Sequence, residues 1–113
     1  MTVRKLDKAV WRPYLDHLSK TLTGYQAEIE ASSLALGNQA QTEWLPLIGL
    51  VYDPKDDIVE VALQGLDHMI QKPRDIYVED ADGLLASVEI VDGEGVKQIV
   101  KLKEPLLLPP HQP

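Results

Sequence analysis

The sequence predicts an α+β fold in which one N-terminal helix packs on a strongly twisted antiparallel sheet of about six strands. Three observations predict it. Apolar residues recur at steps of three and four only between Trp11 and Leu22, and from Tyr25 onward the period falls to two. Two short runs of turn residues, Asp53 to Asp57 and Gly93 to Gly95, then join apolar segments at hairpin spacing.

Trp11, Tyr14, Leu15, Leu18 and Leu22 form one apolar stripe, the mark of an amphipathic helix. Pro13 belongs in its first turn, where a missing N–H costs nothing, so the regular helix is expected to start around Arg12 to Tyr14, with Gly24 as its stop. Tyr25, Ala27, Ile29 and Ala31 alternate with Gln26, Glu28 and Glu30, giving a strand with one wet face. Ser32 to Thr42 reads as a long loop, because Gly37 and Asn38 lie in a polar run. Trp44 to Tyr52 is apolar on both alternating sets, which predicts a central strand covered on both faces, with Pro46 at its start or at a bulge.

The turn at Asp53 to Asp57 leads into Ile58 to Leu63. Placing Tyr52 opposite Ile58 aligns Val51 with Val59, Gly49 with Val61 and Leu47 with Leu63, so this is the expected register. In the second hairpin, a Gly93 to Gly95 loop with Gly95 in the left-handed conformation puts Asp92 opposite Val96, Val88 opposite Val100 and Ala86 opposite Leu102. Glu89 then lies diagonal to Lys97 and Lys101 as an ion-pair partner. Ile76 to Glu79 is a further short strand, and Leu66 to Gln71 is expected to be a short turn ended by Pro73. Residues 1–105 are thus read as a single α+β domain and 106–113 as an extended Pro-rich tail. The element order resembles that of a small, partly open Sm-like or SH3-like barrel, an analogy of fold that assigns no function.

At 113 residues the chain has the size of one domain, and 44% hydrophobic with 26% charged residues is ordinary globular usage. The absence of cysteine removes disulfides, thiolate metal sites and thiol nucleophiles, and is compatible with a reducing, cytoplasmic location. The basic start, Met1 to Lys8, has no apolar stretch behind it and reads as no secretory signal. The longest apolar run, Trp44 to Tyr52, is about half the ~20 residues a membrane-spanning helix needs, so no membrane association is expected. The net charge of −7 is uneven: +3 over residues 1–24, −7 over 25–71 and −3 over 72–113. Binding to a phosphate backbone requires a basic surface, so nucleic acid is a disfavoured partner.

Trp11 with Tyr14, Leu15 and Asp16, Trp44 to Leu47 with Gly49, Asp67 with His68, Pro73 to Tyr77, and the hairpin from Asp92 to Leu102 together resemble the DUF5335 group of small bacterial proteins of unknown function. The resemblance spans roughly Val10 to Pro105, with Pro13 less typical of the pattern. Its motifs are dispersed structural residues, so it implies no mechanism.

Asp67 and His68 are the first candidates for chemistry, since a carboxylate beside an imidazole orients a general base or a metal ligand. Adjacent strand residues face opposite ways, however, and an Asp in a turn caps backbone N–H groups, so the structural reading leads. With His17 and His111 on other elements, no zinc set has its spacing, and no metal or cofactor is expected. Asp53, Asp56 and Asp57 lack the closing glutamate of a twelve-residue calcium loop. Ser32 and Ser33 have no Gly-x-Ser-x-Gly context, and Gly93 with Gly95 precedes no helix. Trp44 and Tyr52 are expected beneath the helix against Trp11 and Leu18; with Asp67, His68 and Arg74 they make up the candidate binding residues, and no catalytic residue is assigned. The expected function is a non-catalytic binding or assembly module rather than an enzyme. The alternatives are a small enzyme using His68 with a carboxylate, and an RNA-binding Sm-like barrel. One helix covers the second face of Trp44 to Tyr52 only if the sheet closes; an open sheet predicts a protein partner or a symmetric homodimer.

Overall fold

The computed structural model describes residues 2–33, 37–40, 44–81 and 84–103. The chain starts as strand β1 (Thr2–Lys5) and makes one 3-10 turn at Lys8–Val10, where the Asp7 carboxylate accepts from the Ala9 N–H. Helix α1 (Trp11–Thr21) follows directly. Pro13 is its third residue, inside the first turn, where its missing N–H forfeits no intrahelical hydrogen bond. Trp11, Leu15 and Leu18 are buried along the predicted stripe, Leu22 follows them into the core, and Gly24 at φ +89° turns the chain away from the helix.

Eight more strands follow: β2 (Gln26–Ser33), β3 (Gly37–Ala40), β4 (Leu45–Asp53), β5 (Ile58–Leu63), β6 (Leu66–Gln71), β7 (Asp75–Ala81), β8 (Leu84–Val91) and β9 (Lys97–Lys103). All pairings are antiparallel, in the order β1-β7-β8-β9-β2-β4-β5-β6, with β3 also on β2. The α+β class stands, with nine strands among the described residues instead of about six. Among the described residues the sheet is not closed: β1 and β6 end the path, and each is paired on one side. One hydrophobic cluster joins the helix stripe to inward residues of β2 and β4–β9. No polar side chain among the described residues is fully buried, and no helix among them is long and apolar enough to cross a membrane.

Three of the strands differ from the sequence expectation. All four residues of β1 are exposed, so they carry no alternation signal, and the strand is defined by pairing with β7 from Thr2↔Asp80 to Lys5↔Tyr77. β3 takes up part of the expected loop by pairing Gly37–Ala40 with Glu30–Ser33. The expected turn at Leu66–Gln71 is strand β6. A two-residue connection, Gln64–Gly65 with Gly65 at φ +83°, folds Leu63 onto Leu66, and the apolar residues misled because they fall on both faces: Ile70 is buried while Met69 is exposed.

The two hairpin registers fared differently. In β8–β9, Val88 faces Val100, Gly95 is at φ +83° and the Asp92 N–H donates to Val96 O at 2.9 Å, as the glycine spacing predicts. Lys101, however, pairs with Glu30 of β2 at 2.9 Å and not with Glu89, because β2 lies beside β9 on its other edge. In β4–β5 the register is one residue from that expected. Asp53 pairs with Ile58 and Tyr52 with Val59 across a turn in which Asp57 takes φ +54°, and a bulge between Leu47 and Gly49 restores Leu47↔Leu63. The slip exchanges the faces: Leu50 and Tyr52 are buried, whereas Ile48 and Val51 are 60% and 42% exposed, so the strand is not covered on both sides.

The bulge also changes the partner of β4. Before it, β4 pairs with β2 through Leu45 and Pro46, and the Leu47 N–H donates to Tyr25 O at 2.7 Å. Beyond it, this edge of β4 meets α1. Alternate residues of an antiparallel strand turn their backbone groups to opposite edges. Those of Leu50 turn toward the helix, where the Ser19 hydroxyl accepts from its N–H at 2.8 Å and donates to its C=O at 2.7 Å.

Val61 is fully buried on β5, between Leu50 and His68 on the flanking strands. Val61→Asp would put an uncompensated carboxylate there at a cost of several kcal/mol, against a total stability of about 5–15 kcal/mol. The variant is expected to lose its cooperative thermal transition by circular dichroism; a melt like that of the wild type would contradict the assignment of β5 to the core.

Candidate functional site

Among the described residues, a polar side-chain network lies where the sheet stops short of closing. The two-residue connection makes Leu63↔Leu66 a hydrogen-bonded pair, and the alternation continues through Val61↔His68 and Val59↔Ile70 to the Lys72 N–H, which donates to Asp57 O at 2.9 Å. It follows that Asp67, Met69 and Gln71 turn their backbone N–H and C=O groups away from β5, toward the end of the sheet. The chain then crosses the last hairpin: the Arg74 N–H donates to Val91 O at 2.7 Å, and Gly93 fits closely against Lys72, where a Cβ would lie 3.0 Å from the Lys72 Cβ and 3.3 Å from its carbonyl oxygen. Between β6 and the hairpin tip remains a cleft of about 520 Å³, lined by Met69, Gln71, Lys72, Asp92, Glu94 and Gln98 among others.

A side-chain chain spans this junction. His68 Nε2 lies 3.0 Å from Gln98 Oε1, the Gln98 amide nitrogen donates to Asp92 Oδ2 at 3.3 Å, and Asp92 Oδ1 accepts from the Glu94 and Val96 N–H groups at 2.9 and 3.0 Å. The polarity is set from the carboxylate outward. Asp92 requires donors, so Gln98 presents NH₂ to it and its carbonyl to the imidazole, which makes His68 Nε2 the protonated nitrogen. The arrangement ties β6 to β9 through side chains where no backbone ladder joins them.

The sequence candidates do not converge. Asp67 is exposed on the face opposite His68, as strand alternation requires, so the adjacent pair is not a dyad. Tyr52 is buried and meets Trp11 edge-on, with ring centroids 5.2 Å apart, and its hydroxyl donates to Asp57 Oδ1 at 2.9 Å. Trp44 is only half-buried, outside the core under α1, with the Lys103 ammonium 4.4 Å from its ring centroid. The bulge separates it from Tyr52, because β4 leaves β2 between them. Arg74 is exposed beside a second cleft, of about 390 Å³, where Lys5 pairs with Asp75 at 3.2 Å and Lys8 lies 5.5 Å from the Trp11 ring centroid. In the hairpin tip, Asp53 Oδ1 accepts from the Lys55 and Asp56 N–H groups, a turn-forming role. Among the described residues no three His, Asp or Glu side chains are grouped to hold a metal ion.

Sequence reasoning missed Gln98 and Asp92 as the partners of His68. Asp92 was readable as the base of a hairpin, but the approach of β6 to β9 follows from the roll of the sheet and has no local signal.

Compared with known families, residues 2–111 match the model of a family of unknown function, DUF5335. The chain belongs to this family. A relative described as an uncharacterized protein of Aquifex aeolicus strain VF5 is 39% identical over 110 residues, covering 96% of this chain and 99% of the relative. No solved structure matches. The DUF5335 match extends beyond Val10–Pro105 at both ends, and neither description indicates a catalytic or binding role.

Among titratable groups, burial holds the Tyr52 hydroxyl above its ordinary pKa of 10.0, and the hydrogen bond to Asp57 acts in the same direction. The folded state therefore favours the neutral phenol. Its contribution is complete below pH 10 and is lost as pH rises through the elevated value. Tyr14 is raised by burial too, and Lys5 and Lys101 by their carboxylate partners, so other groups add to the alkaline decline. Urea denaturation across pH 9–12 is expected to show a shallower loss of stability for Tyr52→Phe than for the wild type; parallel losses would contradict the assignment to Tyr52.

Proposed function

We propose that this DUF5335 protein is a non-catalytic binding or assembly module whose contact surface is the β4–β6 end of the open sheet. The carrying observation is the outer face of these three strands. Val51, Glu60 and Met69 stand in one row across them, Ile48 projects from the bulge, and Ile48, Val51 and Met69 are 42–60% exposed. Exposed apolar residues gathered on one sheet face, beside a strand edge unpaired among the described residues, favour association.

The charged residues of this face, Asp53, Glu60 and Asp67, are acidic. A symmetric homodimer through it would set like charges against each other, which favours a different protein as partner. Engagement of His68 Nε2 by Gln98 supports a role for the imidazole in tying β6 to β9, and the net charge of −7 weighs against nucleic acid. The lack of cysteine fits action in the cytoplasm.

The test uses the immobilised wild type and a Val51→Asp/Met69→Asp variant as baits for cross-linking capture, with light scattering on each. A specific protein retained by the wild type and lost from the variant, with both baits melting within a few degrees of each other, is the expected result. Capture unaffected by the double substitution would overturn the surface assignment. A turnover activity abolished by His68→Ala would overturn the non-catalytic reading. A wild-type mass near twice 12.6 kDa that the variant halves would make a second copy the partner.

A further inference from the structure

We infer that the partner docks as an extended cationic segment, adding a strand to the free edge of β6 with its basic side chains directed into the cleft beside Asp92 and Glu94. This rests on the reading of the protein as a binding module and names the chemistry of its partner.

The free edge comes first. Asp67, Met69 and Gln71 present successive backbone donors and acceptors away from β5, which is the template that strand addition requires. The two ends of the sheet differ in how they are guarded. Both expose apolar side chains, Val3 on β1 and Leu66 and Met69 on β6, but β1 is only four residues long and sets Arg4 and Lys5 beside Val3, whereas β6 is six residues long and has neither lysine nor proline. Short, basic edges resist pairing and longer apolar ones invite it, so β6 is the receptive end.

The cleft supplies the second half of the argument. A strand on β6 would place alternate side chains on opposite faces of the sheet. Those on the outer face would extend the apolar row of Val51 and Met69, and those on the other side would enter the 520 Å³ space toward the last hairpin. There Asp92 keeps its carboxylate fixed by Gln98 and two backbone N–H groups, with exposed Glu94 two residues on. Lys72 is the one basic residue lining the cleft among those described, and the stretch from 25 to 71 that contains β6 carries eight acidic residues and one basic. Charge complementarity thus selects an alternating apolar and basic peptide over an acidic one. A second copy, itself acidic, fits this edge less well.

The probe is a synthetic eight-residue peptide of alternating valine and lysine, compared with its valine and glutamate counterpart. Both are titrated into ¹⁵N-labelled full-length protein at low and at 0.5 M salt. The valine-lysine peptide is expected to shift the amide signals of Asp67, Met69 and Gln71 and to slow their hydrogen exchange, leaving those of Leu66, His68 and Ile70 protected as before. The exposed-loop substitution Glu94→Lys should weaken binding about tenfold, as should the higher salt. Binding without new protection at the three edge amides, or equal binding of the glutamate peptide, would overturn the inference. So would edge amides already protected in the free protein together with a dimer mass. If neither peptide binds while the bait experiment still captures a protein in a Val51- and Met69-dependent way, this inference fails and the proposed function stands; if capture fails as well, both fall.

Discussion

The Ser19 hydroxyl holds both backbone groups of Leu50, and the shape of the sheet depends on that contact. β4 begins beside β2 and ends inside a three-stranded unit with β5 and β6, so its edge on the β2 side must end somewhere without leaving buried amides unpaired. A serine on the helix, at the spacing that sets Leu15 and Leu18 against the core, takes the place that another strand would occupy. The bulge at Ile48 and the helix are two parts of one arrangement: the bulge re-aims β4, and Ser19 satisfies what the re-aiming exposes.

From this follows the open end of the molecule. Once β4 has turned, β5 and β6 carry the sheet round toward β8 and β9, and the core fills with Leu50, Tyr52, Val61 and Ile70 from one side and Val88, Ile90 and Val100 from the other. The roll stops short of closure. Side chains, His68 through Gln98 to Asp92, cross the remaining gap in place of backbone hydrogen bonds. A gap bridged by side chains leaves the outer backbone edge of β6 without a strand partner among the described residues, which a closed barrel would not.

The legible parts of the fold were those with a local cause. The helix follows from the spacing of Trp11, Leu15 and Leu18, and the last hairpin from Gly95, whose left-handed conformation fixes a register that the Val88↔Val100 pair then satisfies. The parts that were not legible depend on non-local events. In β4 the aligned pairs of apolar residues pointed to a register one residue off, since an all-apolar strand reads the same in either phase and only the bulge decides which face is buried. β6 reads poorly because one face looks into the core at Ile70 while the other leaves Met69 exposed. Of the candidate site, His68 was found and its partners were not: Gln98 and Asp92 meet it only because the sheet rolls.

Amide hydrogen exchange at Leu50, compared between the wild type and Ser19→Ala, tests most directly whether the helix hydroxyl stands in for a missing strand. Loss of the bridge leaves two backbone groups without their partner, at a cost of about 1–3 kcal/mol for each that stays dry. The account predicts faster exchange at Leu50, with the amides of Val51 and Asp53, which face β5, changing by no more than the drop in global stability. Unchanged exchange at Leu50 together with an unchanged melting temperature would contradict it.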